Sequence, residues 1–251
     1  RLRRLDGARK LDGTEVFGAD GHPADALLLR AIRAPHHRAR FVLGDLARFI
    51  AEHPGIHRVL TAVDVPGENR FGVIAPYADQ PVFADGETRF LGEAVAAIVG
   101  EPAAVESLDP STFPVVFEAL PALLTLDQAL AAEAPRLHGG RPGNILVCGR
   151  VAKGDADAAL IDCEATVELA VETGFVEHAY IETEAACARR VGDRLEIATA
   201  TQAPVMHRDD LARILGVPKT SVRLMPTAVG GGFGSKLDLS VQPLVAVAAW
   251  L

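Results

Sequence analysis

The sequence is poor in the residues that build disulfide scaffolds, membrane spans or nucleic-acid surfaces. Its 251 residues include three cysteines, Cys148, Cys163 and Cys187, one tryptophan, two methionines and only 5% aromatic residues. An odd cysteine count without a Cys-x-x-Cys pair excludes a disulfide framework and a zinc knuckle. It fits a reducing compartment, so the expected location is cytoplasmic, and the three thiols read as small buried residues. Basic charge is in deficit: 25 Lys and Arg against 33 Asp and Glu leave a formal net charge of −8. That balance argues against nucleic acid or an acidic membrane as the main partner. Long apolar runs are missing as well. Those near Ala94–Val99 and Leu244–Leu251 fall far short of the ~20 residues a bilayer crossing needs, and no signal-peptide pattern precedes them. The chain starts at Arg1 rather than Met and stops at Leu251 inside an apolar helical pattern, so it reads as a piece of a longer protein.

What is present suits a packed domain. The chain is 49% hydrophobic and 23% charged, enough to bury a core. Residues 1–26 read as irregular, with turns at Asp6-Gly7, Asp12-Gly13 and Gly21-His22-Pro23. Apolar, β-branched runs at Ala26–Ile32, Phe41–Leu43, Val59–Val63, Val95–Val99 and Val115–Phe117 read as strands. Asp45 caps a helix to His53, with Leu46, Phe49 and Ile50 on one face. A short helix at Leu126–Ala132 follows Pro121. Between 133 and 144 the composition turns to Pro, Gly, His and Arg, the best candidate for a boundary. Beyond it, strands are expected at Ala165–Val171, Leu195–Thr201 and Ser221–Met225, and a helix at Pro204–Leu215 ended by Gly216-Val217-Pro218. Strands and helices mix without a regular βαβ period, so the class is α+β. No internal repeat is present.

The chemistry concentrates near the C-terminal end, in Gly230-Gly231-Gly232-Phe233-Gly234-Ser235-Lys236. Glycine lets the backbone approach another group closely, and successive amides in such a loop converge on oxo or anionic oxygens. The loop is neither a dinucleotide fingerprint, since Leu237 stands at the last glycine position, nor a P-loop, since Gly234-Ser235-Lys236 has the wrong order. A tight structural turn remains the bland alternative. Gln202 ends the strand before it, with an amide that donates to an oxo group and accepts from a hydroxyl. On a strand, His178, Tyr180, Glu182 and Glu184 would share one face, which reads as a polar hydrogen-bonded segment sooner than as a zinc site. His36-His37 reads as a surface or packing pair.

Read in order, these segments resemble the molybdenum hydroxylases, the xanthine dehydrogenase/aldehyde oxidase family. The resemblance runs through Arg33–Ala39, Thr61-Ala62-Val63-Asp64-Val65-Pro66-Gly67, Gly92–Val99, Phe117-Glu118-Ala119-Leu120-Pro121-Ala122, Glu177-His178-Ala179-Tyr180-Ile181-Glu182-Thr183, Thr201-Gln202, Leu215–Pro218 and Gly230–Lys236. It implies an α/β hammerhead domain over 1–125 and the opening part of the molybdopterin-binding domain over 126–251. It also implies a molybdenum–molybdopterin cofactor, plain or in its cytosine dinucleotide form, with no protein ligand to the metal. Gln202, Phe233 and Gly234 match the residues whose donors reach oxygens on the metal, and Gly230, Gly231 and Gly232 match the glycines that let the backbone approach.

The reaction implied is oxidative hydroxylation at an electron-poor carbon, with oxygen from water and electrons leaving through [2Fe–2S] centres to FAD. Those groups are expected on other domains or subunits, since this chain lacks the cysteine pattern for them. The C-terminal remainder of the molybdopterin domain is a further expected partner, and the family's glutamate base matches no residue here. On that ground the piece is expected to be inactive alone. Where purine-specific members have a glutamate after the loop lysine, this chain has Leu237, which offers no hydrogen bond to a purine. That tilts the expected substrate to an aldehyde or another N-heterocycle. Two other readings compete: a non-catalytic assembly fragment or degenerate homologue, and a nucleotide-binding enzyme using the glycine loop for phosphate.

Overall fold

The computed structural model describes residues 2–251. The first part of the chain forms two small antiparallel sheets. Its elements are α1 (Gly7–Asp12), β1 (Leu28–Arg33), β2 (Ala39–Leu43), α2 (Leu46–Glu52), β3 (Ile56–Leu60), β4 (Glu87–Thr88), β5 (Ala94–Gly100), α3 (Pro102–Ser107) and β6 (Val115–Ala119). Strand β5 lies between β1 and β3, with Leu28 opposite Gly100 and Val59 opposite Ile98. Both faces of this sheet are covered, so β5 is apolar throughout instead of alternating. Ile98 packs with Ile32, Phe49, Val59 and Phe113 in one core, and Ala97 packs with Leu60 in another. The second sheet runs β4-β2-β6. Helix α2 starts as its sequence requires, with the Asp45 carboxylate accepting from the Arg48 amide at 2.9 Å.

The chain divides into two compact units. One runs up to Ala122 and resumes at His178–Leu251; the other is Leu123–Glu177. The first division falls just before the 125/126 boundary that the family resemblance implies, and outside 133–144, the boundary read from composition; the second has no counterpart in either. The smaller unit contains α4 (Leu126–Leu130) and α5 (Ala156–Ile161) and little else that is regular. Asn144 ties part of it together, its amide donating to the carbonyls of Ala129 and Pro135. The strand expected at Ala165–Val171 does not form: Val167, Leu169 and Val171 are 94%, 81% and 78% exposed. Alternation alone makes no strand without a ladder partner, and none pairs with it among the described residues. Cys148 and Cys163 are likewise exposed and Cys187 half-buried, against the expectation of buried thiols. The segment that carries the first two builds no core to cover them.

The last part of the chain forms β7 (Ala186–Val191), β8 (Arg194–Thr199), α6 (Pro204–Leu215), β9 (Val222–Pro226) and α7 (Gln242–Trp250). Strand β8 is central, antiparallel to β7 and parallel to β9, with Leu195 opposite Val222. The parallel pair requires a crossover, which α6 supplies. Buried Leu211, Ile214 and Leu215 on α6 join Leu195, Ile197, Leu244 and Val247, and Leu60, Phe71 and Phe83 from the first part complete this core.

Helix α6 ends at Gly216, whose φ is +67°. Its terminal carbonyls are also satisfied from outside. The Gly67 and Glu68 amides donate to the carbonyls of Ile214 and Arg213 at 2.8 and 3.0 Å. A Cβ on Gly67 would overlap the Arg213 carbonyl oxygen and the Gly216 nitrogen. The Pro66-Gly67 turn is therefore an external cap for the helix that leads away from Gln202. Among the described residues no helix is long and apolar enough to cross a membrane.

Candidate functional site

Parallel strands with a crossover place the loops after their C-terminal ends side by side, which is where open sheets bind ligands. Here the loop after β8 carries Gln202, and the loop after β9 carries Gly230–Gly234. The sequence-level candidates therefore meet because β8 and β9 are parallel neighbours. The Gln202 amide N–H donates to the Lys236 carbonyl at 3.0 Å, and the Gly234 amide donates to the Gln202 side-chain oxygen at 3.1 Å. An amide N–H can only donate, so this contact fixes Oε1 towards Gly234 and leaves the Gln202 NH2 as a donor.

The glycines are there for close approach. Gly231 has φ +105°, and a Cβ on it would lie 2.9 Å from the Tyr180 Cβ. A Cβ on Gly230 would lie 2.6 Å from the Glu182 Cβ, and one on Gly232 would overlap the Gln202 side-chain oxygen. Phe233 takes φ +51° and is 74% exposed. For a bulky residue that conformation costs about 1–3 kcal/mol and has to be enforced by its surroundings. Ala179, beside Tyr180, is held at φ +51° as well. Among the described residues, the amides of Gly231, Gly232 and Phe233 find no acceptor.

What holds the loop was not singled out from the sequence. Lys236 is fully buried, and its ammonium donates to Glu182 Oε2 at 2.7 Å and to the Glu182 carbonyl at 2.9 Å. The same ammonium lies 4.7 Å from the centre of the Tyr180 ring, within cation–π range. Glu182 Oε2 also accepts from the Gly230 amide at 2.7 Å, and Oε1 accepts from the Gly18 amide at 3.0 Å. Burial opposes the charge on Glu182, but the bonds from Lys236, Gly230 and Gly18 outweigh it and hold the carboxyl below its ordinary range. One carboxylate thus anchors the start of the glycine loop, its lysine and the N-terminal segment. Two signals were present in the sequence: a lysine inside a glycine-rich apolar stretch needs a carboxylate, and Glu182 sits in an ordered motif.

Residues 178–184 form no strand, so this polar segment takes an irregular form and its side chains share no strand face. The regular ladder starts at Ala186, and Glu182 and Glu184 leave the irregular segment before it to reach different partners. Glu184 is close to Gln242, whose buried amide donates to it at 3.4 Å and to Thr199 Oγ1 at 3.1 Å. Leu237 lies just past the loop, 39% exposed, with its amide donating to the Gly234 carbonyl at 3.2 Å. His36 packs edge-on against Phe117 in the first part of the chain.

The donor set suits a group rich in oxo and phosphate oxygens. Backbone amides without acceptors, a side-chain NH2 donor and glycines that let the loop pass close to Tyr180, Glu182 and Gln202 make a cradle for electronegative oxygen. The residues present fit a molybdenum–molybdopterin cofactor, which needs hydrogen-bond donors around its metal oxygens.

Comparison with known proteins agrees. The molybdopterin cofactor-binding domain matches residues 137–251. The chain is 35% identical over 242 residues to the nicotinate dehydrogenase large molybdopterin subunit of Eubacterium barkeri, covering 95% of this chain and 55% of that protein. It is 31% identical over 248 residues to a probable xanthine dehydrogenase subunit of Bacillus subtilis (strain 168), covering 98% of this chain and 32% of that protein. The aldehyde oxidoreductase from Desulfovibrio gigas superposes with a TM-score of 0.87 at 27% identity, over 98% of this chain and 28% of that one. The chain thus spans from about a third to about half of the length of these two curated relatives. The mixed helix–strand fold matches that of the molybdenum-binding region in such enzymes, and residues 137–251 belong to the molybdopterin cofactor-binding domain.

Proposed function

We propose that this chain provides part of the cofactor cradle of a molybdenum-dependent oxidoreductase that hydroxylates an aldehyde or an N-heterocycle, with water as the oxygen source. The observation that carries the reading is the pairing of Gln202 with the glycine loop. Gly234 holds the glutamine oxygen, which leaves its NH2 as a donor beside loop amides that have no acceptor of their own. Gln202 and Phe233 would donate to oxygens on the metal, with Gly230, Gly231 and Gly232 allowing the approach; the Gly234 amide, expected from the sequence to donate to the metal oxygens too, is instead occupied with the glutamine oxygen and orients that donor. The cofactor, when bound, supplies the two-electron oxidation. The chain's own residues bind it, orient it and stabilise changing charge at its oxygens.

Leu237 supports the choice of substrate class. An apolar, partly exposed side chain at the loop's end gives a purine no partner and accommodates an aldehyde or a less polar ring. The name of the Eubacterium barkeri relative points to nicotinate, an N-heterocycle, as that protein's substrate. Residues 1–125 form the hammerhead domain in this reading and 126–251 the first part of the molybdopterin domain. The remainder of that domain, a catalytic base, [2Fe–2S] centres and FAD belong to other parts of the assembly, and the pterin takes its plain or cytosine dinucleotide form.

Metal and pterin analysis of the intact complex tests the reading. Stoichiometric molybdenum with a releasable pterin is expected, and absence of both would sink it. Gln202→Ala should then lower kcat/KM by about ten- to a hundredfold, the loss of one hydrogen bond to a charged group. Unchanged turnover in that variant would favour a non-catalytic role for this site.

A further inference from the structure

His207 lies on the first turns of α6, 1% exposed, in a role that no motif in the sequence suggests. Its Nε2 is 3.1 Å from the Leu237 carbonyl oxygen. A carbonyl only accepts, so Nε2 carries the proton. Its Nδ1 is 2.9 Å from Thr201 Oγ1, and that hydroxyl accepts from the Ala203 amide at 2.9 Å. With a neutral ring, Nδ1 must accept, so the Thr201 hydroxyl donates to it. Burial favours the neutral ring, holding His207 below its ordinary value against the Leu237 carbonyl and Asp238, which favour the proton. The result is a directed relay: Ala203 N–H to Thr201 Oγ1–H to His207 Nδ1, then Nε2–H to the Leu237 carbonyl.

The ends of this relay matter. Thr201 and Ala203 flank Gln202 on both sides, and Leu237 follows the glycine loop. Both Thr201 and His207 are buried, so each polar atom in the relay is costly to leave without a partner. A second tie, the Gln202 amide to the Lys236 carbonyl, runs alongside. A histidine on the helix between the two loops therefore couples the residue read as a cofactor donor to the residue read as the substrate wall.

We propose that His207 is a positioning residue that sets the place of Leu237 relative to Gln202, and so the size of substrate the site accepts. The proposal rests on the cofactor reading given above. It assigns His207 no contact with substrate or cofactor. Its effect passes through the Leu237 backbone, so it appears in substrate binding and leaves metal loading intact.

Two conservative variants separate positioning from plain stability. Asn at 207 keeps an acceptor near the Nδ1 position and loses the reach to Leu237; Gln places a donor near the Nε2 position and loses the acceptor for Thr201. Each removes one buried hydrogen bond, so both should lower the melting temperature of the intact enzyme to a similar degree. Only His207→Asn should free Leu237. In the holoenzyme, with nicotinate and benzaldehyde as probes, His207→Asn is expected to raise KM about tenfold, equivalent to about 1.4 kcal/mol. It should leave kcat within about threefold and molybdenum content unchanged, while His207→Gln keeps the parent KM. Crystal structures of both variants supply a readout independent of turnover: Leu237 should shift against Gln202 in His207→Asn and stay in place in His207→Gln. Leu237 superposing on the parent in both variants, or KM moving equally in both, would overturn the proposal. An intact enzyme without molybdenum would overturn the cofactor reading instead, and the crystallographic comparison would still decide whether His207 places Leu237.

Discussion

Lys236 and Glu182 meet across the base of the glycine loop at 2.7 Å, with the lysine wholly enclosed and the glutamate side chain 11% exposed. Glu182 gathers the Gly18 and Gly230 amides as well. The pair thus joins three stretches of chain far apart in sequence, and the loop's backbone cannot move without disturbing it.

Breaking this pair from one side should cost more than removing it. Lys236→Met leaves a carboxylate among amides in a closed site and should destabilise the protein by about 3–5 kcal/mol. Glu182→Gln keeps one acceptor oxygen, sets an NH2 against either the Gly18 or the Gly230 amide, and leaves the ammonium without a counter-charge, held only by the residue-182 carbonyl. The double variant should be more stable than the sum of the two losses implies, because neither charge is then left alone. Chemical denaturation of the four proteins in a double-mutant cycle measures the coupling; strict additivity would show that the pair does not act as a unit.

Two buried groups should give the stability two separate acid limbs. His207 is held below its ordinary value of 6.5, chiefly by burial. As pH falls through 6.5 the unfolded chain takes the proton first, so stability begins to drop there. Glu182 is held below its ordinary 4.5, its bonds to Lys236, Gly230 and Gly18 prevailing over burial. Its contribution is complete above 4.5 and is lost as pH falls below that. Asp210 and Asp238 are raised by burial and act in the opposite sense, so each variant is compared with the parent. In melting curves against pH, His207→Gln should flatten the limb that starts near 6.5, and Glu182→Gln the limb below 4.5.

Sequence patterns served best where a residue's own local chemistry decides its structure. Asp45 capping α2, Gly216 ending α6 and the wholly apolar β5 follow from nearest neighbours and burial, and all three are found. Gln202 and the glycine loop were legible as separate features; their meeting depends on β9 lying parallel to β8, a pairing that no local pattern encodes. His207, Lys236 and Glu182 act largely through distant partners, 30 positions apart for His207 and Leu237, 54 for Lys236 and Glu182 and 164 for Glu182 and Gly18. The strand expected at 165–171 fails for the converse reason: its alternation is clear, but no ladder partner pairs with it among the described residues.

Adjacent glycines of the loop should respond to alanine in different ways. At Gly230 the new methyl would meet the Glu182 Cβ, an atom fixed to the backbone. Gly230→Ala should therefore lower stability by about 1–3 kcal/mol, as overpacking does. At Gly232 it would meet the end of the Gln202 side chain, which can swing aside. Gly232→Ala should fold with nearly the parent melting temperature and lose the Gly234–Gln202 bond. Molybdenum content and turnover of the intact enzyme should fall in Gly232→Ala in spite of its stability. Equal effects of the two variants on melting temperature would contradict the packing described.

The turn at Pro66-Gly67 should matter to a site it does not touch. The amides of Gly67 and of Glu68 after it cap the last carbonyls of α6, and a Cβ on Gly67 would strike the Arg213 carbonyl oxygen and the Gly216 nitrogen, both backbone atoms that cannot turn away. Gly67→Ala must push the turn off the helix end, which leaves the carbonyls of Arg213 and Ile214 without these donors. Each lost bond costs about 0.5–1.5 kcal/mol, and the overlap adds to that. Helix α6 carries His207 near its other end, so loosening its C-terminus should also relax the tie to Leu237. Hydrogen exchange of the Leu211–Leu215 amides should quicken in Gly67→Ala, and thermal unfolding should fall by more than in Gly230→Ala. Unchanged exchange along α6 would show that the helix is held by its core side chains alone, with the turn contributing nothing.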